Sequence, residues 1–153
     1  MTSLLKKLNY KEQAEILMLN SPQSFDKVFE EMGLITNIRT NLRGVKEINF
    51  IMIFATKKAE IEKYFDKIIN LLNDDTVLWF AYPKGTSKNY KCDFNRDTGW
   101  EILGDQGYEG VRIVSIDEDW TALRFRKADK IKKMTRRKSM AISKTGKKKT
   151  KGD

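Results

Sequence analysis

Apolar residues recur at a helical period over 57–72, where they form one continuous stripe. Thr56 stands at the N-cap position, and Asn73, Asp74 and Asp75 are turn formers at the opposite end. The pattern predicts an amphipathic helix over 57–72 that buries this stripe against a core. The stripe consists of Ile61, Tyr64, Phe65, Ile68, Ile69 and Leu72.

Two shorter stretches have the same helical character. In 22–32 a proline suits the first turn, Ser21 is able to cap it, and Gly33 ends it. The stretch 96–104 closes at Gly104 in the same way. We therefore predict a second helix over 22–32 and a third, shorter one over 96–104. The buried face of the second consists of Phe25, Val28, Phe29 and Met32.

Nearly continuous apolar runs of strand length lie between these helices. Such runs are typical of strands that are covered on both faces, as in a parallel sheet. The first run is ambiguous, because the leucines that precede it allow residues 4–19 to form one helix instead. The runs are 14–19, 48–54 and 77–81, with a weaker one at 34–40.

Two alternating runs near the end of the domain predict a hairpin. They span 110–116 and 121–126, and the polar turn 117–119 followed by Trp120 separates them. The apolar residues of the second run face one side and its two arginines the other. The whole order is β-α-β-β-α-β-α-β-β, which predicts an α/β fold: a mainly parallel sheet with helices on both faces and an antiparallel hairpin at one edge.

The amino-acid composition excludes several kinds of catalytic and metal-binding site. The chain has no histidine and one cysteine, Cys92, so Ser-His-Asp and Cys-His catalysis, Cys/His zinc sites and an internal disulfide are all excluded. The longest nearly apolar stretch, 48–55, is far shorter than the ~20 residues that cross a bilayer. The N-terminal residues lack the apolar segment of a signal peptide. We predict a soluble, cytoplasmic protein without a membrane partner.

The positive charge of the chain is concentrated in one segment. The formal net charge is +9, yet residues 1–126 carry 18 basic and 19 acidic side chains, a net charge of −1. Residues 127–153 carry 12 basic and two acidic side chains, a net charge of +10. A segment with so few apolar residues and so many like charges cannot offset the entropy of ordering. We predict a domain over 1–126 and a disordered basic tail over 127–153.

The basic tail has two interpretations. It either keeps the protein soluble or contacts nucleic acid or another polyanion, since lysines displace counterions from phosphate. No aromatic residue follows Phe125, so contacts would reach the phosphate backbone and not stacked bases. The candidate polyanion-binding residues are Lys132, Lys133, Arg136, Arg137, Lys138, Lys147, Lys148 and Lys149.

The loop at 82–88 is the main candidate for a ligand site. It follows a predicted parallel strand and offers Tyr82, Lys84 and Lys88 with hydroxyls and a glycine. In open α/β sheets, ligands bind beyond the carboxyl ends of strands. The loop lacks the spacing of a phosphate-binding P-loop, so a plain surface turn is the alternative. Asn20 and Ser21, after the first predicted strand, are candidates for the same site.

Further candidates lie in and near the hairpin. Trp120 either folds back over the sheet or presents a contact face. Arg124 and Arg126 lie on one face of the last strand, and either one pairs with Asp117, Asp119 or Asp93. Arg124 is alternatively a ligand candidate. We add Arg96 and Asp117 as ligand candidates. The three consecutive acids 117–119 point in different directions, so we predict a solvated turn and no metal site.

Two sequence motifs carry a resemblance. They are Leu78-Trp79-Phe80-Ala81-Tyr82-Pro83-Lys84 and Asp117-Glu118-Asp119-Trp120-Thr121-Ala122-Leu123-Arg124-Phe125-Arg126, with Asp93-Phe94-Asn95-Arg96-Asp97 between them. The chain resembles a bacterial family of unknown function whose members share a W-x-A-x-P-K strand end and a D-E-x-W-x-x-L-R hairpin. The family has no assigned activity, so the resemblance implies no catalytic residue. The prediction at this stage is a non-catalytic binding module.

The order of elements also resembles that of class I methyltransferases, which implies a three-layer, Rossmann-like sheet. In those enzymes the loop after the first strand is glycine-rich and an acidic residue ends the second strand, where the cofactor ribose is held. Here the loop is 20–24, without glycine, and the second strand ends in 38–41, without an acid. We therefore predict no cofactor. The alternative to the binding module is a degenerate methyltransferase-like domain that binds a small molecule or nucleotide.

Overall fold

Six strands form a single sheet within residues 3–130, which are the residues that the computed structural model describes. The sheet order is β2-β1-β3-β4-β6-β5. The first four strands are parallel, and the sixth is antiparallel to both of its neighbours. The predicted parallel sheet with an antiparallel edge hairpin is confirmed. The strands are β1 (Glu15–Leu19), β2 (Asn37–Arg39), β3 (Ile48–Phe54), β4 (Leu72–Pro83), β5 (Tyr108–Ser115) and β6 (Trp120–Lys127).

Four α-helices flank this sheet in the described part of the chain, two on each face. One face carries α1 and α2, and the other carries α3 and α4. Short 3₁₀ turns precede α2, follow α3 and follow β6, at Gln23–Phe25, Ile69–Leu71 and Ala128–Lys130. The helices are α1 (Ser3–Lys7), α2 (Asp26–Gly33), α3 (Lys58–Ile68) and α4 (Glu101–Asp105).

The strand residues alternate between two apolar layers, as the pleat requires. On the α3 side, the strands bury Ile51, Phe80 and Phe125, with the Trp100 indole between the last two rings. On the α1 side, they bury side chains that include Met52. Trp79 and Trp100 are both fully buried and belong to the core.

The N-terminal ambiguity resolves into two elements. Residues 3–7 form a helix, and a separate strand begins at Glu15. The break between them includes Asn9 and Glu12, both with positive φ. The indole N–H of Trp79 donates to the Leu8 carbonyl at 2.8 Å and so ties the end of α1 to the sheet. A helix running through 4–19 is therefore wrong.

Both ends of α3 differ from the prediction. Thr56 does not cap the helix with its own side chain; the Glu60 carboxylate reaches back to the Thr56 and Lys57 backbone N–H groups at 2.8 and 3.1 Å. The turn predicted at 73–75 lies within β4, which begins at Leu72. An exposed Asn-Asp-Asp stretch is accommodated there because hydrogen bonds within it replace part of the strand ladder.

The two shorter helices begin later than predicted. Residues 23–25 form a 3₁₀ turn before α2, and Ser21 forms no cap. In place of a helix from 96, residues 95–98 form a tight turn in which the Asn95 side chain accepts the N–H groups of Asp97 and Thr98. Asparagine competes for backbone donors in this way, so the helix begins only at Glu101.

The hairpin at the sheet edge contains a β-bulge. Gly110 pairs with Phe125, but Arg112 pairs with Arg124, so one extra residue of β5 lies between them. The bulge shifts the register of β5 and turns Arg112 to the face that carries Arg124. No helix among residues 3–130 is long and apolar enough to cross a membrane.

Candidate functional site

The order of the strands reverses between the parallel neighbours β1 and β3. The connection after β1 leads to β2 on one side, and the connection after β3 leads to β4 on the other. In open α/β folds such a switch point opens a crevice beyond the carboxyl ends of the two strands. In this chain the crevice lies beside Asn20 and Ala55.

The Asn20 side chain crosses this crevice. Its amide nitrogen donates to the Phe54 carbonyl at 2.8 Å and to the Glu60 carboxylate at 3.1 Å. The Asn20 backbone has φ +62°, a left-handed conformation that asparagine tolerates better than most residues. The Asn20 side chain therefore links the end of β1 to the end of β3 and to the first turn of α3.

The Glu60 carboxylate is the centre of this network. Partial burial raises its pKa, but hydrogen bonds from Thr56, Asn20 and Lys57 outweigh that effect, and the net result is a lowered pKa. The Thr56 hydroxyl adds a hydrogen bond at 3.1 Å. The carboxylate is therefore ionised at neutral pH and fully engaged in holding the start of α3 against β1.

An open cleft of about 870 Å³ lies at the carboxyl end of β4, on the α3 face of the sheet. Its floor is formed by Tyr82, Thr121 and Ile113 from three adjacent strands, and its walls by the loop 84–97. Its lining residues are Tyr82, Pro83, Lys84, Gly85, Thr86, Ser87, Tyr90, Lys91, Cys92, Phe94, Asn95, Arg96, Asp97, Ile113 and Thr121. We call it the β4 cleft.

Lys84 is held at the mouth of the β4 cleft by two contacts. Its backbone N–H donates to the Asp119 carbonyl at 2.7 Å, which extends the pairing of β4 with the hairpin. Its ammonium donates to the Ser115 hydroxyl, also at 2.7 Å. An ammonium has three donors, so Lys84 keeps donors for a ligand.

Tyr82 joins the cleft to the aromatic core. Its ring contacts Phe94 and Trp100, with centroids 5.5 and 5.7 Å away, and only 5% of the residue is exposed. Burial raises the pKa of its phenol to about 12, partly offset by the Arg96 guanidinium. The hydroxyl is therefore neutral at physiological pH and able to donate a hydrogen bond into the cleft.

The thiol of Cys92 lies in the same wall. Burial raises its pKa, and Asp93 and Glu60 add to that effect, which outweighs the hydrogen bond from the Phe94 backbone. The thiol is therefore protonated at neutral pH and suits packing better than nucleophilic attack. Arg96 belongs to the same lining, is exposed, and pairs with Asp97 at 3.5 Å.

The structure brings only part of the predicted set together. Tyr82, Lys84 and Arg96 line the β4 cleft. Lys88 is exposed outside its lining, and Asn20 and Ser21 follow β1 at the switch-point crevice instead.

The hairpin candidates have structural roles or other surroundings. The Asp117 carboxylate accepts the backbone N–H groups of Asp119 and Trp120, both at 2.8 Å, and so shapes the turn. Trp120 is buried on the α1 face against Phe54 and Tyr90, which confirms that it folds back over the sheet. It belongs to the layer opposite the β4 cleft, because successive strand residues point to opposite faces.

The ion pair predicted for Arg124 is wrong. Within residues 3–130 no acidic side chain forms a salt bridge with it, and its Nε is buried without a hydrogen-bond partner. The carboxylate of Asp119 is instead bound by Ser87 at 2.8 Å and Asn89 at 3.1 Å, and that of Asp93 by the Lys58 N–H at 2.7 Å. The carboxylates of Asp119 and Asp93 are therefore already engaged by other groups of the protein.

Sequence reasoning missed several residues of the cleft. Thr121 and Ile113 reach it through strand register, and Asn95 through the turn before α4. The alternation of the last strand placed Thr121 on one face with Leu123, but only the register of β4 with β6 brings it beside Tyr82. Lys91 is the third cation of the lining.

No group of three or more potential metal-ligating side chains occurs together in the described residues. The polyanion-binding candidates from Lys132 to Lys149 lie outside the described residues.

Comparison with solved structures identifies the same fold in methyltransferases. A SAM-dependent methyltransferase from Aquifex aeolicus aligns with TM-score 0.53 at 13% identity, over 81% of this chain and 87% of that one. The structure of DhpI in complex with SAH aligns with TM-score 0.51 at 10% identity, over 82% of each chain. The N-methyltransferase NodS from Bradyrhizobium japonicum WM9 aligns with TM-score 0.50 at 14% identity, over 82% and 93%.

These likenesses establish a Rossmann-like fold of the methyltransferase type. No protein-family model and no curated protein sequence matches the chain. The resemblance to the bacterial family of unknown function therefore stays a prediction.

The switch-point crevice does not fit the cofactor that this fold implies. A cofactor there needs a loop whose backbone it can approach closely. In this chain the Asn20 amide fills that approach by joining Phe54 to Glu60, and Pro22 removes a backbone donor from the loop. The residue that ends β2 is Arg39, which pairs with Glu15 at 3.7 Å. No acid is available there for a ribose.

Proposed function

We propose that this domain binds a small anionic ligand of the nucleotide class in the β4 cleft. The observation that carries the proposal is the composition of the lining, which combines three cations with a single acid, Asp97. The cations are Lys84, Lys91 and Arg96. A phosphate group fits such an excess of positive charge.

The apolar part of the cleft suits the remainder of a nucleotide. Ile113 supplies exposed apolar surface, the nearly buried rings of Tyr82 and Phe94 lie beneath it, and Ser87 and Thr121 complete the lining. Ligand pockets in proteins combine mainly apolar walls with a few placed polar groups. The position also fits the fold, because ligands of open α/β sheets bind beyond the carboxyl ends of the strands.

A thermal-shift screen of nucleoside mono-, di- and triphosphates, SAM and SAH tests the proposal. We expect stabilisation by at least one nucleotide, reaching about 2.7 kcal/mol at a hundredfold excess over Kd. We expect no stabilisation by SAM or SAH, because the Asn20 side chain bridges the switch-point crevice. No shift with any nucleotide at millimolar concentration would contradict the proposal.

Two lysine variants locate the site. Lys84→Ala should abolish the nucleotide-dependent shift, because its ammonium lies at the mouth of the cleft. Lys88→Ala removes the same charge from the same loop but outside the lining, so its shift should match that of the wild type. Loss of the shift in Lys88→Ala with retention in Lys84→Ala would place the ligand elsewhere.

A further inference from the structure

Three arginines converge on the α1 face at the edge of the sheet, opposite the β4 cleft. Arg124 and Arg126 are two residues apart on β6, so their side chains share a face. The β-bulge after Gly110 places Arg112 directly opposite Arg124. A regular ladder would instead pair Arg112 with Leu123, whose side chain lies in the core on the other face. We call these three residues the arginine patch.

The positive charge of the patch is only partly compensated. The acid in register on this face is Glu109, opposite Arg126; it is fully buried and has an interaction partner of its own, so at most one carboxylate faces three guanidiniums. Among the residues that the structure describes, Arg124 at the centre of the patch forms no salt bridge with an acid. Like charges directly opposite each other destabilise a sheet.

Arg124 is the most constrained of the three. It is half-buried between β4 and β5, and its Nε has no hydrogen-bond partner in residues 3–130. Burial lowers its pKa, and the neighbouring charges of Arg126 and Arg112 lower it further. An anion between these guanidiniums would supply the missing acceptor and reduce the repulsion.

The sequence after β6 extends this charge. The segment 127–153, which begins with the last residue of β6 and the 3₁₀ turn Ala128–Lys130, has a net charge of +10. A partner that presents many negative charges in a row suits both the patch and this segment. Guanidiniums bind phosphate oxygens in a bidentate manner. No aromatic ring is exposed among the three arginines, so bases have no surface on which to stack.

We propose that the arginine patch, formed by Arg112, Arg124 and Arg126, binds the phosphodiester backbone of a nucleic acid without reading its bases. The patch provides fixed contacts on the folded domain, and the basic segment that follows it adds further phosphate contacts. This site lies on the face opposite the β4 cleft, so the two proposals stand or fall separately.

The test measures binding of the full chain to a fluorescent 20-nucleotide RNA and a 20-base-pair DNA duplex by anisotropy, across a salt series. The variant Arg112→Gln/Arg124→Gln/Arg126→Gln should weaken binding by about tenfold or more at 50 mM salt. The slope of log K against log salt should fall by about 2 to 3, since each lost phosphate contact contributes roughly 0.7 to 0.9.

Two charge-matched variants serve as controls. Lys46→Gln/Lys63→Gln/Lys67→Gln removes three exposed charges from other surfaces of the domain. It should retain most of the affinity. Lys147→Gln/Lys148→Gln/Lys149→Gln removes three from the basic segment and should weaken binding in addition to the patch. Equal losses in the patch variant and the first control would show a net-charge effect and overturn the proposal.

Three other outcomes would also overturn it: no binding of the wild type to either nucleic acid, a loss confined to the Lys147 to Lys149 variant, or patch-dependent binding to phosphatidylserine vesicles alone. Circular dichroism checks that each variant is folded. If the triple variant is unfolded, the single variant Arg112→Gln tests the proposal instead. This side chain is exposed, so its replacement should leave the fold intact and remove one phosphate contact. Its salt slope should fall by about 1.

Discussion

At the scale of single residues, Asn20 and Glu60 distinguish this chain from a cofactor-binding version of its fold. One amide bridges two strand ends and a helix start, where an open glycine loop would leave room for a ligand. The carboxylate that receives this amide also accepts the backbone N–H groups of Thr56 and Lys57, immediately before α3. Helix capping and crevice closure are therefore carried out by the same two side chains.

Glu60→Gln should lower the free energy of unfolding by about 1 kcal/mol at pH 7, since a neutral amide accepts these hydrogen bonds less strongly. The folded-state pKa of Glu60 lies below its ordinary value of 4.5. Its contribution is therefore present above pH 4.5 and is lost as the pH falls through the folded-state pKa. Urea unfolding at pH 7, 4.5 and 3 should show the difference between variant and wild type shrinking toward zero.

The exposed Glu62→Gln is the control for this experiment, since Glu62 lies on the same helix. It should change stability by less than about 0.5 kcal/mol at every pH. A Glu60→Gln penalty that is the same at pH 7 and pH 3 would show that the carboxylate charge has no part in the network.

At the scale of elements, the segment between β4 and α4 determines the shape of the β4 cleft. It returns to the core at Phe94 and Trp100, whose rings pack with centroids 5.2 Å apart. Gly99 makes this return possible, because its φ is +96° and a Cβ there would lie 2.6 Å from the Phe94 Cβ. The wall of the cleft thus depends on one residue without a side chain.

Gly99→Ala should lower the free energy of unfolding by about 2 kcal/mol or more, because the backbone conformation and the Phe94 contact are both unfavourable for alanine. Denaturant unfolding measures the change. Gly85→Ala is the matched control in the same segment, where a Cβ meets nothing within 4 Å. We expect it to change stability by less than about 0.5 kcal/mol, and equal losses in both variants would contradict the argument.

At the scale of the whole molecule, the sheet separates two apolar layers, and in each of them a buried tryptophan donates to a backbone carbonyl of a neighbouring segment. Trp100 fills the α3 side, and its indole donates to the Asn95 carbonyl at 2.8 Å. Trp79 fills the α1 side and holds the Leu8 carbonyl. The first layer supports the β4 cleft, whereas the second fixes the N-terminal helix and borders the arginine patch through the pairing of Trp79 with Arg124.

Trp79→Phe should destabilise the protein by about 2 to 3 kcal/mol, because it creates a cavity and leaves the Leu8 carbonyl without its donor. Hydrogen exchange should speed up for the α1 amides in particular. Trp100→Phe is the matched comparison: a similar overall loss is expected, but without selective exposure of α1. Equal exchange at α1 in the two variants would show that Trp79 does not anchor this helix.

The apolar pattern alone determined most of the architecture. Runs such as 48–54 are apolar at almost every position, so they are stable only as strands that are covered on both faces, at the centre of a parallel sheet. The alternation of 121–126 determined which residues of β6 face the core. Element ends were less determined, because Asn95 and Glu60 compete for backbone donors through contacts that periodicity does not record.

Only the tertiary structure decided which polar residues meet. The register of β4 with β6 assembled the β4 cleft from Tyr82 and Thr121, which are far apart in the sequence. A one-residue bulge, invisible in the alternation of β5, put Arg112 opposite Arg124. The local sequence determines which residues are buried, because each residue has its own hydrophobicity. A site depends instead on the distances between residues, which are set only when the strands pair.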